Sequence, residues 1–122
     1  MFVVSNDEFQ ILIGEALGEL PGEHARNIKN VAILYEEEPT PSQRQKAKLR
    51  AHQTLLGLYE GVPLSQRQGM TRILPDTITL FKQPLEALAT NSTELKEQIK
   101  HTLWHEIAHY YGLNHDQIRA LE

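Results

Sequence analysis

The chain has 122 residues, enough for one domain over residues 1–122 with a single modest hydrophobic core. Its formal net charge of -4 argues against non-specific nucleic-acid binding, which needs a basic surface. The absence of cysteine excludes disulfides and thiolate metal sites, so any metal must bind histidine or carboxylate. Residues 1–7 lack the basic start of a signal peptide, and no apolar run is long enough to cross a membrane. We therefore expect a cytoplasmic protein without a membrane partner.

The first predicted element is an amphipathic helix. Ser5 followed by Glu8 is a capping-box pattern and marks its start. Apolar residues then recur at the three- and four-residue spacing of one buried helix face: Phe9, Leu12, Ile13, Ala16, Leu17 and Leu20. Pro21 and Gly22 end this helix, and Pro21 also suits the first turn of a short second helix over residues 21–27.

Three further segments predict the strands of a small sheet. Residues 31–35 form a continuous apolar run, which is typical of a central strand buried on both faces. Residues 55–59 predict a second strand. Residues 77–81 alternate between polar and apolar side chains, so we expect a strand with two different faces. A short strand over residues 70–74 would pair with it in a hairpin.

Two other segments lie outside these strands. Residues 43–52 are polar and basic, but they follow an acidic run and contain no aromatic residue. A solvated surface segment is therefore favoured there over a nucleic-acid site. Pro84 opens another short helix, with Leu85 and Leu88 predicted on its inner side.

A long helix is predicted from about residue 92, where Asn91 and Glu94 form a second capping pattern. Its apolar stripe contains Leu95, Ile99, Leu103, Ile107 and Tyr111. The stripe widens in the carboxyl-terminal half, and His105 and His109 fall just outside it. We expect the charged amino-terminal half to project into water. The two histidines should line a partly exposed cleft beneath the sheet.

This helix contains the pattern His-Glu-x-x-His-x-x-Gly-x-x-His, with its five defined residues at His105, Glu106, His109, Gly112 and His115. We call these five residues the zinc motif. Residues four apart lie on one helix face, so the first two histidines can bind one ion, and the glutamate can reach past it. Glycine at positive φ would end the helix and bring the third histidine back. Three nitrogen ligands with one open position are typical of catalytic zinc.

The chain resembles the minimal zincin-like metallopeptidases, a family of small bacterial proteins. The resemblance rests on the zinc motif and on upstream segments: Leu20-Pro21, Asn30-Val31, the run from Leu56 to Leu64, and the run from Leu74 to Phe81. It implies an α+β fold, in which a mixed sheet of three or four strands packs on an amino-terminal backing helix and the motif helix. It also implies one Zn²⁺ ion and peptidase activity on a peptide or protein substrate.

The chain departs from the related patterns in three places. Many members of the family carry Asp where this chain has His115, so its third ligand is closer to that of the metzincins. Metzincins have a methionine-containing turn after the motif, whereas Met1 and Met70 both precede it. Seven residues follow His115, so we expect no large subdomain there. The resemblance therefore transfers the metal site and leaves the substrate undefined.

The working hypothesis is metal-assisted hydrolysis of a peptide bond. His105, His109 and His115 would bind zinc, which lowers the pKa of a bound water. Glu106 would act as the general base and return the proton to the leaving amine. Asp116 has three open roles: capping a last short helix, orienting a ligand histidine, or replacing His115 as the third ligand.

Other candidate contacts are weaker. Tyr110 could stabilise the oxyanion and Arg67 could bind a substrate carboxylate, although packing and surface roles are favoured for them. His101 is interpreted as an exposed or outer-sphere histidine. The sheet edge near residues 70–73 could pair with an extended peptide. The alternative function is a metal-binding or protein-interaction module that keeps the fold and does not cleave peptides.

Overall fold

The computed structural model describes residues 2–20, 31–47, 55–61 and 76–112. Within these ranges the elements, in chain order, are α1 (Asn6–Glu19), β1 (Val31–Glu36), α2 (Pro41–Lys46), β2 (Gly57–Glu60), β3 (Asp76–Phe81), α3 (Lys82–Ala87) and α4 (Ser92–Tyr110). The α+β class, with a small mixed sheet packed on helices, is therefore confirmed.

The two long helices begin where their capping patterns predict. The Ser5 hydroxyl accepts a hydrogen bond from the Glu8 N–H at 3.1 Å, which fixes the first turn of α1. The Asn91 side-chain oxygen accepts from the Glu94 N–H at 2.9 Å at the start of α4. The Glu94 carboxylate turns further back and accepts from the Thr90 N–H at 2.8 Å. Both starts follow from local chemistry, because each cap satisfies an amide that the helix itself leaves without a partner.

The described sheet has the strand order β1-β3-β2. Strand β1 runs parallel to β3, with Ile33 opposite Ile78, and β2 runs antiparallel to β3, with Leu58 opposite Thr79. The prediction that residues 31–35 form the central strand is wrong for this sheet, because β3 lies in the middle. Leu34 on β1 is 48% exposed, so the apolar run marked a strand but not its place in the sheet.

Strand β3 is buried on both faces, although its alternating sequence predicted two different faces. Ile78 and Leu80 are fully buried on one face, and Thr79 is buried on the other. Threonine is small and β-branched, so it fits a covered pleated face as well as an exposed one. The predicted difference between the two faces is therefore wrong.

Helices α1 and α4 pack against each other, and α4 also contacts β2 and β3. The core consists of fully buried side chains from these two helices, from the central strand and from α3: Phe9, Ala16, Ile78, Leu80, Leu85, Leu95, Ile99, Leu103 and Ile107. Two predicted core residues are exposed instead. Leu17 is 36% exposed and lines a groove between α1 and β1. Leu88 follows the last turn of α3, where the helical periodicity no longer applies.

Several predicted features lie outside the described residues. They are the short helix over residues 21–27, the strand over residues 70–74 with its edge at residues 70–73, and a last helix after residue 116. The segment predicted as polar surface, residues 43–52, is described as far as residue 47. Its first residues belong to the short helix α2, which Thr40 caps. Strand β2 begins at Gly57, two residues later than the pattern predicted.

Candidate metal centre

Helix α4 brings His105 and His109 together, as their spacing predicts. Their ring centroids are 4.7 Å apart and their planes are inclined by 52°. Both side chains are half-buried, because they flank the apolar stripe that packs α4 onto the core. Two imidazoles one helical turn apart, partly open to solvent, are suited to bind one metal ion.

Glu106 lies between the two histidines and is only 6% exposed. Its Oε1 atom accepts a hydrogen bond from the Tyr59 N–H at 2.9 Å. The same oxygen is 3.6 Å from the Nδ1 atom of His109, which is longer than a hydrogen bond. The edge strand β2 therefore holds the carboxylate beside the histidine rings through a main-chain amide.

Burial raises the pKa of Glu106 from its usual 4.5 to about 7, and the hydrogen bond from the Tyr59 N–H opposes part of this rise. A general base works best when its pKa lies near the operating pH, because it is then both available and strong enough. Without a bound metal ion, the fold thus keeps the pKa of this carboxyl near neutral pH, in the range that suits a general base.

Gly57 allows β2 to approach α4 closely enough for this contact. A Cβ atom at Gly57 would lie 2.6 Å from the Thr102 Cγ2 atom and 3.5 Å from the Glu106 Cγ atom. A larger residue would therefore require the Thr102 side chain or the strand itself to shift. Sequence analysis identified the strand but missed this role; the glycine inside a strand pattern was the available signal.

Tyr59 is a second residue whose role sequence analysis missed. Its hydroxyl donates a hydrogen bond to the Asp76 Oδ2 atom at 2.6 Å, and Asp76 is buried at the start of β3. The Tyr59 ring contacts the ring of Tyr110 edge-to-face, with 6.2 Å between centroids. Tyr59 therefore connects the central strand, the motif helix and the Glu106 carboxylate.

Gly112 ends the motif helix with a φ of 81°, as predicted. Its N–H donates to the His109 carbonyl oxygen at 2.9 Å. The helix therefore ends at the glycine of the zinc motif. His115 and Asp116 lie outside the described residues, so their roles as ligands stay predictions.

Of the remaining candidate site residues, Tyr110 and His101 are described and Arg67 is not. Tyr110 is buried and also packs against the ring of Tyr111, with 5.0 Å between centroids. This matches the packing role that was favoured for it. Its contact with a substrate oxyanion stays a prediction, and Arg67 lies outside the described residues. His101 is exposed, one turn before His105.

A cavity of about 260 Å³ opens between the start of β2 and α4, and we call it the β2–α4 cavity. It is lined by Leu55, Leu56, Gly57, His101, Thr102, His105 and Glu106. A space that a small molecule or side chain can occupy therefore adjoins both the first motif histidine and the buried carboxylate.

The donor set of the site fits zinc. Two imidazoles and a nearby carboxylate are borderline and hard donors of the kind found in catalytic zinc sites, which keep three protein ligands and an open position. Among the described residues, no three side chains of His, Cys, Asp or Glu are grouped to hold a metal ion. His105 and His109 are therefore the two described side chains that could bind the ion, and His115, the predicted third ligand, lies outside the described residues.

Residues 28–122 match the profile of a family described as zincin-like metallopeptidases. The chain belongs to the zincin-like metallopeptidase family. The resemblance drawn from the zinc motif is therefore confirmed, and with it a family link to zinc binding and peptidase chemistry. No curated protein matches the chain. In the described part of this family member, none of the helices has the length and hydropathy needed to span a bilayer.

Proposed function

We propose that the protein is a zinc-dependent peptidase that hydrolyses peptide bonds with one Zn²⁺ ion. The observation that best supports this function is the placement of Glu106, a buried carboxylate beside two motif histidines. Burial raises the pKa of Glu106 to about 7. A purely structural zinc site has no use for such a group and usually has four protein ligands.

The proposed roles follow from the position of each side chain. His105 and His109 hold the ion, with His115 as the third ligand and Asp116 as its alternative. Bound zinc supplies Lewis acidity, which lowers the pKa of water towards neutrality. Glu106 takes the proton from the attacking water and later donates it to the leaving amine, so that the bond breaks without expelling a charged amide.

Strand β2 is the element that would present a peptide to this site. It lies at the edge of the described sheet, and the Tyr59 N–H points away from β3 towards Glu106. An extended peptide that added to this edge would run alongside α4 and the two histidines. The proposed substrate is therefore an extended segment of a peptide or protein. The edge at residues 70–73 remains a second location for it.

The experiment compares zinc content and peptide hydrolysis in wild type, Glu106→Gln and Glu97→Gln. Glutamine at 106 keeps the size of the side chain and an acceptor for the Tyr59 N–H, but it cannot take a proton. Hydrolysis should fall by about 10²- to 10⁴-fold while zinc content stays unchanged. Glu97 lies on the exposed face of the same helix, so Glu97→Gln should keep both properties.

Two results would count against this function. If wild type cleaves nothing across a broad peptide library but binds zinc, the protein is a metal-binding module instead. If zinc content does not fall in His105→Ala and His109→Ala, neither function holds, because both depend on these ligands.

A further inference from the structure

We propose that the β2–α4 cavity selects substrates with a leucine-sized apolar side chain next to the bond that is cleaved. This inference rests on the proposed peptidase function and names the substrate class of the same site. It makes Leu55, Leu56 and Thr102 specificity-determining residues.

The cavity is placed for this role because it shares residues with the metal centre. His105 and Glu106 form part of its wall, so whatever fills the cavity lies beside the groups proposed to cleave the bond. Two larger cavities, of about 540 and 480 Å³, lie beside α1 and β1 and beside Lys82. Neither includes a described residue of the zinc motif.

The lining of the cavity favours an apolar group. Leu55 and Leu56 line the β2 side, and the Thr102 Cγ2 methyl group faces Gly57 on the α4 side. Away from the zinc that His105 would hold, the described residues that line it include no lysine or arginine to pair with an acidic side chain. Such a side chain would also lie near the Glu106 carboxylate. Desolvating a charge without a partner is costly, whereas an apolar side chain gains from the same burial.

The size of the cavity limits its occupant to about one side chain. Pockets that bind whole small molecules measure about 300–1,000 Å³, and this one measures about 260 Å³. A peptide extended along β2 would direct every second side chain towards α4, so one of them would meet the cavity. Selectivity in such pockets amounts to about 10- to 200-fold in kcat/KM per methylene group.

The test measures kcat/KM for peptides that differ only at the residue before or after the cleaved bond, with Gly, Leu, Phe or Asp there. At one of the two positions, leucine should exceed glycine and aspartate by at least about tenfold. Leu55→Ala should enlarge the cavity and shift the preference from leucine towards phenylalanine by about tenfold, with zinc content unchanged. The matched control is Leu34→Ala, because Leu34 is exposed on β1.

Methyl NMR of the zinc-loaded wild type separates failure of this proposal from failure of the peptidase function. N-acetyl-leucinamide should shift the methyl signals of Leu55, Leu56 and Thr102 more than the matching aspartate derivative does. If peptides are not cleaved but these shifts appear, the cavity is selective and the peptidase function is wrong. Cleavage without preference, or equal shifts with both probes, would overturn the cavity proposal.

Discussion

The two halves of α4 treat charged side chains in opposite ways. In the amino-terminal half, residues 92–100, the Lys96 Nζ atom lies 2.8 Å from a Glu19 carboxylate oxygen on α1, and both groups remain open to water. The hydrogen bond from Lys96 lowers the pKa of Glu19. In the carboxyl-terminal half, residues 101–110, burial raises the pKa of Glu106 instead. One half therefore stabilises its charges, while the other keeps a carboxylate where its charge is disfavoured.

The two halves share one buried apolar stripe. Leu95 and Ile99 in the first half and Leu103 and Ile107 in the second are all fully buried. The prediction that the amino-terminal half simply projects into water is therefore wrong, because this half also packs on the core. The comparison shows that one helix contributes both to the core of the fold and to the buried environment of Glu106.

The largest expected effects come from truncating buried side chains in the apolar stripe that both halves of α4 share. Ile99→Ala and Ile107→Ala should each lower the free energy of unfolding by about 2–5 kcal/mol, because each leaves a cavity in a packed core. Urea denaturation measures both. Ile11, which is 60% exposed on α1, supplies the control, and Ile11→Ala should change stability very little. A small loss for Ile99→Ala alone would show that the first half is not part of the core.

The next effect concerns Glu106 in the zinc-free protein. Its folded-state pKa of about 7 exceeds its usual 4.5, so the folded state binds the proton more tightly. Stability should therefore fall as pH rises from 4.5 to 7, by up to about 3 kcal/mol. Below this window both states are protonated, and above it the full penalty applies.

Urea unfolding in a chelator at several pH values would measure this fall. Glu106→Gln should lack it and should be the more stable protein at neutral pH. Glu97→Gln should unfold like wild type throughout. An unchanged pH profile in Glu106→Gln would mean that the buried carboxylate does not have the raised pKa.

The smallest effect is expected for the exposed ion pairs between α1 and α4. Lys96→Gln and Lys100→Gln should lower the urea midpoint slightly at low salt and leave it unchanged at high salt, because water and ions screen these charges. A loss that persists at high salt would show that the pairs stabilise the helix packing more than their exposure suggests.

The sequence predicts what local chemistry determines. The caps at Ser5 and Asn91, the stripe of α4 and the positive φ of Gly112 each depend on residues a few positions apart, and all appear as predicted. The pairing of His105 with His109 follows from one helical turn in the same way.

Strand placement and strand-to-helix contacts were not predictable in this way. An apolar run does not reveal which strand becomes central, since that depends on pairing between distant segments, and in the described sheet β3 is central instead of β1. The hydrogen bond that holds Glu106 joins residues 47 positions apart. The side-chain patterns of β2 and α4 do not indicate this hydrogen bond, because the donor is the main-chain amide of Tyr59.

Because the donor to Glu106 is a main-chain amide, replacing the Tyr59 side chain does not test this hydrogen bond. Every residue except proline has an amide N–H, so Tyr59→Ala would leave the donor to Glu106 in place. That variant would report only the lost ring and hydroxyl at position 59. Replacing the amide at Tyr59 with an ester by chemical synthesis would remove the donor and leave every side chain unchanged. The hydrogen bond to the proposed base thus depends on the path of the backbone and not on the identity of the side chain at position 59.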